Sequence, residues 1–272
     1  IGSLSGKAWA AGYAGGIICL LIILFGFVQN ENPLFGIGKN QAANIRIAGP
    51  IVAIWFIIFS IPFLIKLKKH TKIVLHKKES LFKEVFSNIK KLFRNSNQGR
   101  FLLSRMVYTD GLNTLFAFGG LYAAGTFKMS FTEIIIFGIL INITAGIGAL
   151  FFSYLDDIIG PKFIINISLI FLIIFGCTTL IIENKEQFLV FGSILGFFIG
   201  SVQASSRSLM SRYIFNGNNT ETFGLYAVSG KFTAFLGPAV LAITVSIFDS
   251  QRVGMGSIII FLLIGLILLQ RV

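Results

Sequence analysis

The sequence predicts an all-α polytopic membrane protein, a helix bundle with about eight transmembrane helices. Three observations carry that prediction. Hydrophobic residues make up 55% of the chain and charged residues only 12%, with a mean hydropathy of +0.84, a balance foreign to soluble domains. The apolar residues gather into segments of about 20, the length of helix that crosses a hydrocarbon core. Those segments are continuously apolar, whereas the strands of a membrane barrel would be shorter and would alternate.

The first two spans cover residues 8–28 and 45–67. The first follows Lys7 and carries Gly12 and Gly16, spaced so that another backbone can approach one face. The second contains Pro50 and Pro62, which kink membrane helices without marking a site. After a basic segment come 101–127, which contains Asp110, and 131–155, interrupted by Asn142 and Thr144. The spans 163–182 and 188–214 follow. Gly192, Gly196, Gly200 and Ala204 recur every fourth residue in the latter and form a smooth packing face. The last spans are 223–248, with Lys231 and Pro238, and 253–269. Cys19 and Cys177 fall inside spans and read as small core residues, with no disulfide framework or metal site. The sequence opens at Ile1 with neither Met nor a charged leader, which reads as a fragment lacking its N-terminus and not as a signal peptide.

Charge sets the orientation. The net charge of +12 is concentrated between the second and third spans, from Lys66 to Arg100, and such loops stay cytoplasmic. Alternation then puts Lys7, Lys162 and Arg212 inside as well, and leaves Lys39, Arg46, Lys128, Lys185 and Arg252 outside. The chain divides into residues 1–66 with two helices, a basic cytoplasmic linker at 67–99, and a six-helix bundle at 100–272. Within the linker, residues 79–93 have a helical period, with Leu81, Phe82, Val85, Phe86, Ile89, Leu92 and Phe93 on one face and lysines on the other. This amphipathic helix suits anionic lipid headgroups, or equally a packing role beneath the bundle. Nucleic-acid binding is a poor reading, because no basic stripe interleaved with aromatics lies outside the linker.

Charged and polar residues at membrane depth supply the candidate site. Asp110 lies roughly 15 Å along its helix from the cytoplasmic end, and Lys231 roughly 14 Å along its own. Opposite charges at matched depth can pair, and intramembrane ionisable groups usually mark ion or substrate pathways; a buried pair that only fixes packing is the alternative. Asn113, Thr114, Asn142 and Gln203 widen the candidate substrate and proton pathway, or serve as hydrogen-bonding glue between helices. Arg105 is five positions before Asp110 and about 140° around the helix, a candidate gate or interfacial anchor. No HExxH or phosphate-binding GxxxxGK[ST] occurs, and His70 and His76 both lie in or beside the basic linker. An enzyme, a metal site and a cofactor are therefore not expected.

Four stretches resemble a known family. The segment SYLDDIIGPK, 153–162, resembles the cytoplasmic signature loop of the major facilitator superfamily, G-x-L-x-D-R-x-G-R-K. Leu155, Asp157, Gly160 and Lys162 match it; Ser153, Ile158 and Pro161 depart from the usual Gly, Arg and Arg. The stretches GKAWAAGYAGG (6–16), RMVYTDGLNTLFAFGGLYAAG (105–125) and FGLYAVSGKFTAFLGP (223–238) resemble the branch of that superfamily containing the yeast vacuole effluxer of autophagy and its bacterial relatives. The resemblance implies twelve helices in two halves joined by a cytoplasmic loop. The first two spans would then be the fifth and sixth, 100–272 the C-terminal half, and the missing N-terminal helices of the same protein its partner. It also implies efflux of small solutes, with amino acids the suggested substrate class, by alternating access and with a proton gradient as drive, in a bacterial inner membrane. The competing expectation is a transport-inactive receptor or scaffold whose buried charges are purely structural.

The placement of the linker is directly testable. Single cysteines introduced between Lys66 and Arg100 should react with an impermeant maleimide only after the cytoplasmic face is exposed; labelling from outside intact cells would reverse the topology.

Overall fold

A computed structural model describes residues 1–30, 34–37, 40–70, 97–213 and 219–272. The helices in chain order are α1 (Gly2–Ile23), α2 (Ala43–Arg46), α3 (Ala48–His70), α4 (Asn97–Phe127), α5 (Phe131–Ile159), α6 (Pro161–Ile181), α7 (Lys185–Arg212), α8 (Asn219–Ser229), α9 (Leu236–Phe248) and α10 (Gln251–Gln270). No strand occurs among the described residues, so the all-α class holds. The amphipathic segment 79–93 lies outside the described residues.

Six stretches of the described residues are long and apolar enough to span a membrane: Gly2–Val28, Ala43–Leu67, Phe131–Ile159, Pro161–Ile181, Lys185–Arg212 and Gln251–Gln270. Two of the eight expected spans differ. The span expected at 101–127 is one helix of 31 residues, but Arg100, Arg105, Asp110 and Asn113 make it more polar than its neighbours. The span expected at 223–248 is two helices of 11 and 13 residues, separated by turns through residues 230–235.

Helix ends follow local chemistry. Ser130 and Glu133 form a reciprocal capping box at the start of α5. Gly160 has φ +104°, a conformation open to glycine, and ends α5 just before Pro161 opens α6. The Asn184 side chain accepts from the Glu186 amide at the start of α7, and Ser250 accepts from Val253 at the start of α10.

The chain falls into two compact units, Gly15–Ser87 and the pair of segments Ile1–Ala14 and Asn88–Val272. In the first, α1 runs into a π-helical turn, Leu24–Val28, whose Leu24 and Phe27 are buried. Asn44 of α2 donates to the Phe27 carbonyl at 3.3 Å. The apolar window of α3 buries none of its residues, although it contains Pro62 and remains helical through it.

In the second unit a core that includes Phe101, Tyr108, Leu112, Ile165, Leu169 and Leu262 is shared among α4, α6 and α10. Close helix contact comes from small residues. A Cβ added at Gly196 would meet Ile141 and Thr144, and one at Gly200 would meet the Ala145 carbonyl. Reciprocally, one at Gly148 would meet Phe197, so α5 and α7 touch backbone to backbone, as the four-residue glycine spacing implies. On α1 the close-packed glycines are Gly2 and Gly6, against Asp156 and Ser153 of α5. The expected face at Gly12 is open instead. Hydroxyl pairs tie further helices: Ser168 to Ser201 at 2.7 Å and Tyr108 to Ser206 at 2.7 Å. Cys19 is buried as expected, whereas Cys177 is exposed, because it lies on an outward face of α6.

The backbone contact between α5 and α7 predicts a large response to added volume. Gly200→Leu should lower stability by about 1 to 3 kcal/mol, the usual cost of overpacking, read as a fall in thermal midpoint in detergent. The same change at open Gly12 should have little effect.

Candidate functional site

The site is built around the interruption between α8 and α9. A helix end leaves backbone donors or acceptors without partners, and in lipid each must be satisfied internally. Gly230 follows α8, while Gly237 and Pro238 open α9. Pro238 has no amide hydrogen and stands in the first turn of α9, where none is needed for the helical ladder.

The first-turn amides of α9 can be counted. The Leu236 amide donates to the Thr233 carbonyl at 2.8 Å and the Ala239 amide to the Phe235 carbonyl at 3.0 Å. Pro238 has none to give, and the Gly237 amide donates to Asp110 Oδ2 at 3.1 Å. Asp110 is only 2% exposed, and its carboxylate meets the positive end of the α9 dipole. Its Oδ1 has no hydrogen-bond partner among the described residues. Thr114, one turn along α4, donates to the Asp110 carbonyl at 2.8 Å. A Cβ at position 237 would strike Thr114 Oγ1 and lie 3.2 Å from Asp110 Oδ1, so only glycine lets α9 come this close to α4.

The opposite end of the break is held by the opposite charge. Arg105 Nη1 donates to the Tyr226 carbonyl at 2.6 Å and to Ser229 Oγ at 2.7 Å. Its guanidinium carbon sits 3.5 Å above the centre of the Tyr226 ring. A cation on the last carbonyls of α8 complements the negative end of that helix, and the ring adds a cation–π contact. Arg105 is thus an anchor, and what it anchors is a helix end. Between the two clamps, Thr233 Oγ1 reaches the Met106 carbonyl at 3.4 Å.

The expected pairing of Asp110 with Lys231 is not found. Among the described residues no ion pair involves Asp110, and Lys231 is exposed on the turn. Matched depths assumed a continuous helix, and the break puts Lys231 outside it. The remaining pathway candidates also do not converge. Gln203 Oε1 accepts from the Tyr13 hydroxyl at 2.6 Å, and Asn113 is half-buried on α4. Asn142 donates to Gly138 of its own helix at 2.7 Å. It also lines a cavity of about 240 Å³ bounded by α4, α5, α6, α7 and α10, with Phe116, Phe137, Leu172 and Met255 among its walls. That cavity is largely apolar and does not include Asp110.

The signature-like loop forms a second charged cluster. Asp157 accepts from the amides of Gly2 and Ser3 on α1 at 2.9 Å each. Leu155 is half-buried and packs on the core, and Lys162 is half-buried one residue into α6. Asp156, which the sequence reading passed over, is the buried partner: its Oδ1 accepts from Ser208 at 2.9 Å and from Arg212 at 3.0 Å. The doubled aspartate was the available signal. Adjacent positions differ by about 100° on a helix, so one carboxylate faces α1 and the other α7.

A family model described as "Vacuole effluxer Atg22 like" matches residues 2–272. The chain is 22% identical over 275 residues to the "Uncharacterized MFS-type transporter YxiO" of Bacillus subtilis, covering 99% of this chain and 63% of that protein. It is 26% identical over 274 residues to "Autophagy-related protein 22" of Vanderwaltozyma polyspora, covering 88% and 51%. The protein of that name in Cryptococcus neoformans is 22% identical over 294 residues, covering 99% and 50%. The chain thus spans from half to just under two-thirds of the length of these relatives.

If Arg105 holds the end of α8, Arg105→Ala should cost about 2 kcal/mol, in the range for hydrogen bonds to a charged group. Arg105→Lys should recover only part of that, because an ammonium does not stack on the Tyr226 ring as a guanidinium does. Thermal unfolding of the three proteins in one detergent is the measurement; equal midpoints would contradict the clamp.

Proposed function

We propose a transport function for this chain, which belongs to the vacuole effluxer Atg22-like family. In this reading it forms part of a secondary active transporter that moves small solutes by alternating access, in the direction of efflux, with amino acids as the substrate class and protons as the coupling ion. The observation that carries it is Asp110, a carboxylate 2% exposed in an apolar bundle with one oxygen unpartnered. Such groups mark ion and substrate pathways in membranes. Support also comes from family membership and from six helices of spanning length among the described residues. An interrupted helix is a recurring feature of transporter sites.

In the same proposal the protein is not an enzyme and needs no cofactor. It sits in a bacterial inner membrane with the basic linker in the cytoplasm, where lysines meet anionic headgroups. The segments that complete the relatives' length would supply the other wall of the pathway. One observation favours a second reading, a transport-inactive receptor or scaffold: both charges on α4 that touch the break cap helix ends, which is a structural service.

Flux separates the two. The full-length protein in proteoliposomes should move amino acids when a pH gradient is imposed. Asp110→Asn should remain folded and lose the gradient-driven component while keeping passive exchange. Full gradient-driven flux in a folded Asp110→Asn protein would make Asp110 structural, and no flux of any amino acid would remove this substrate class.

A further inference from the structure

The two ends of the break are held by groups of different chemistry. Arg105 holds the α8 end through two hydrogen bonds and the face of the Tyr226 ring, so that end stays docked. The α9 end hangs on Asp110, whose charge one proton removes. We propose that the start of α9 is a proton-released latch: ionised Asp110 holds the Gly237 amide, and protonated Asp110 lets the first turn of α9 leave α4 while α8 remains fixed by Arg105.

Four features support this. Gly237 is the one first-turn amide of α9 with no partner in its own segment. Asp110 Oδ1 is buried and unpartnered, so a proton can be taken there without displacing an existing hydrogen bond. Among the described residues, no other charged group competes for the α9 end. Residues 236–248 carry none, and the α10 stretch opposite Gly111 presents Ile258, Phe261 and Leu262. Of the remaining charged or titratable neighbours, Arg105 is engaged with α8, Tyr226 lies under its guanidinium, and Tyr108 is bonded to Ser206 on α7. Arg207 of α7 and Lys231 of the turn are exposed. Finally, among the described residues the other hydrogen bond from the turn to α4 is the 3.4 Å one from Thr233 Oγ1 to the Met106 carbonyl.

Once the charge is gone, the attraction between the carboxylate and the helix dipole is lost, and a neutral acid accepts more weakly than a carboxylate. The pivot is the turn at 230–235, whose far side is the Arg105 clamp. The latch gives the proton of the transport reading a moving element, and its use in transport rests on that reading.

The test measures distances and not flux, so the latch and the transport reading fail separately. In the full-length protein with Cys19 and Cys177 replaced by Ala, one spin-label pair joins α4 to α9 at Phe116 and Leu236. A second joins α4 to α8 at Leu103 and Val228. All four positions are exposed. On going from mildly alkaline to mildly acidic pH, the α4–α9 distribution should gain a longer population while the α4–α8 distribution stays fixed. Asp110→Asn should show the longer population at both pH values. An α4–α9 distribution that ignores pH in the otherwise native protein overturns the proposal whether or not the variant folds, as does a shift of both pairs together. A folded Asp110→Asn protein that keeps the short distance at both pH values also overturns it.

Discussion

A helix that is interrupted must find partners for the backbone groups it frees, and the break between α8 and α9 is where that constraint falls on this chain. An orphaned amide or carbonyl buried away from water costs several kcal/mol. The solution is a pair of opposite charges on one neighbouring helix. Arg105 meets the carbonyl end of α8 and Asp110 meets the amide end of α9. The polarity of α4, which sets it apart from the apolar spans around it, follows from that service.

The clamps work only if α4 is held in register, and the surrounding contacts do this. Ser104 donates to the Gly265 carbonyl at 2.7 Å, and a Cβ at Gly265 would meet Tyr108, so α4 and α10 are in backbone contact on the side away from the break. The Tyr108 hydroxyl reaches Ser206 on α7, and α7 is locked to α5 through Gly148, Gly196 and Gly200. At the end of the bundle that holds the signature-like loop, Asp156 joins α5 to Ser208 and Arg212 of α7 while Asp157 accepts from the Gly2 amide of α1. Among the described residues, carboxylates that accept from the backbone of another helix appear twice, Asp157 at the bundle's edge and Asp110 in its interior. Only the interior one, Asp110, combines this role with an unpartnered oxygen and no cation partner.

Much of this was legible in the sequence wherever local chemistry decides the outcome. The apolar spans, the four-residue glycine spacing of α7 and the turn at Gly160 and Pro161 all follow from the residues at those positions. The partner of Asp110 was not legible, because depth along two helices specifies a pairing only if both helices are continuous. A search for a counter-charge also overlooks a backbone amide, which leaves no mark in the sequence. The break had its own signal in Gly230 and in the Gly237–Pro238 pair, but proline in membrane helices is common enough that Pro238 reads as an ordinary kink. Arg105 reads as a gate or interfacial anchor, and the helix end it holds is hidden in the sequence as the break itself is. A turn position of about 140° from Asp110 excludes a shared face, yet two ends of a broken helix do not require one.

The central claim is that Asp110 secures the first turn of α9 by accepting from its amide. Hydrogen exchange read by mass spectrometry on peptides covering residues 232–241 tests it most directly, with peptides from α6 as the reference. Asp110→Ala should speed exchange at the start of α9 by about tenfold, the loss of one hydrogen bond to a charged group, and leave α6 unchanged. Unaltered exchange at Gly237 in a folded Asp110→Ala protein would contradict it.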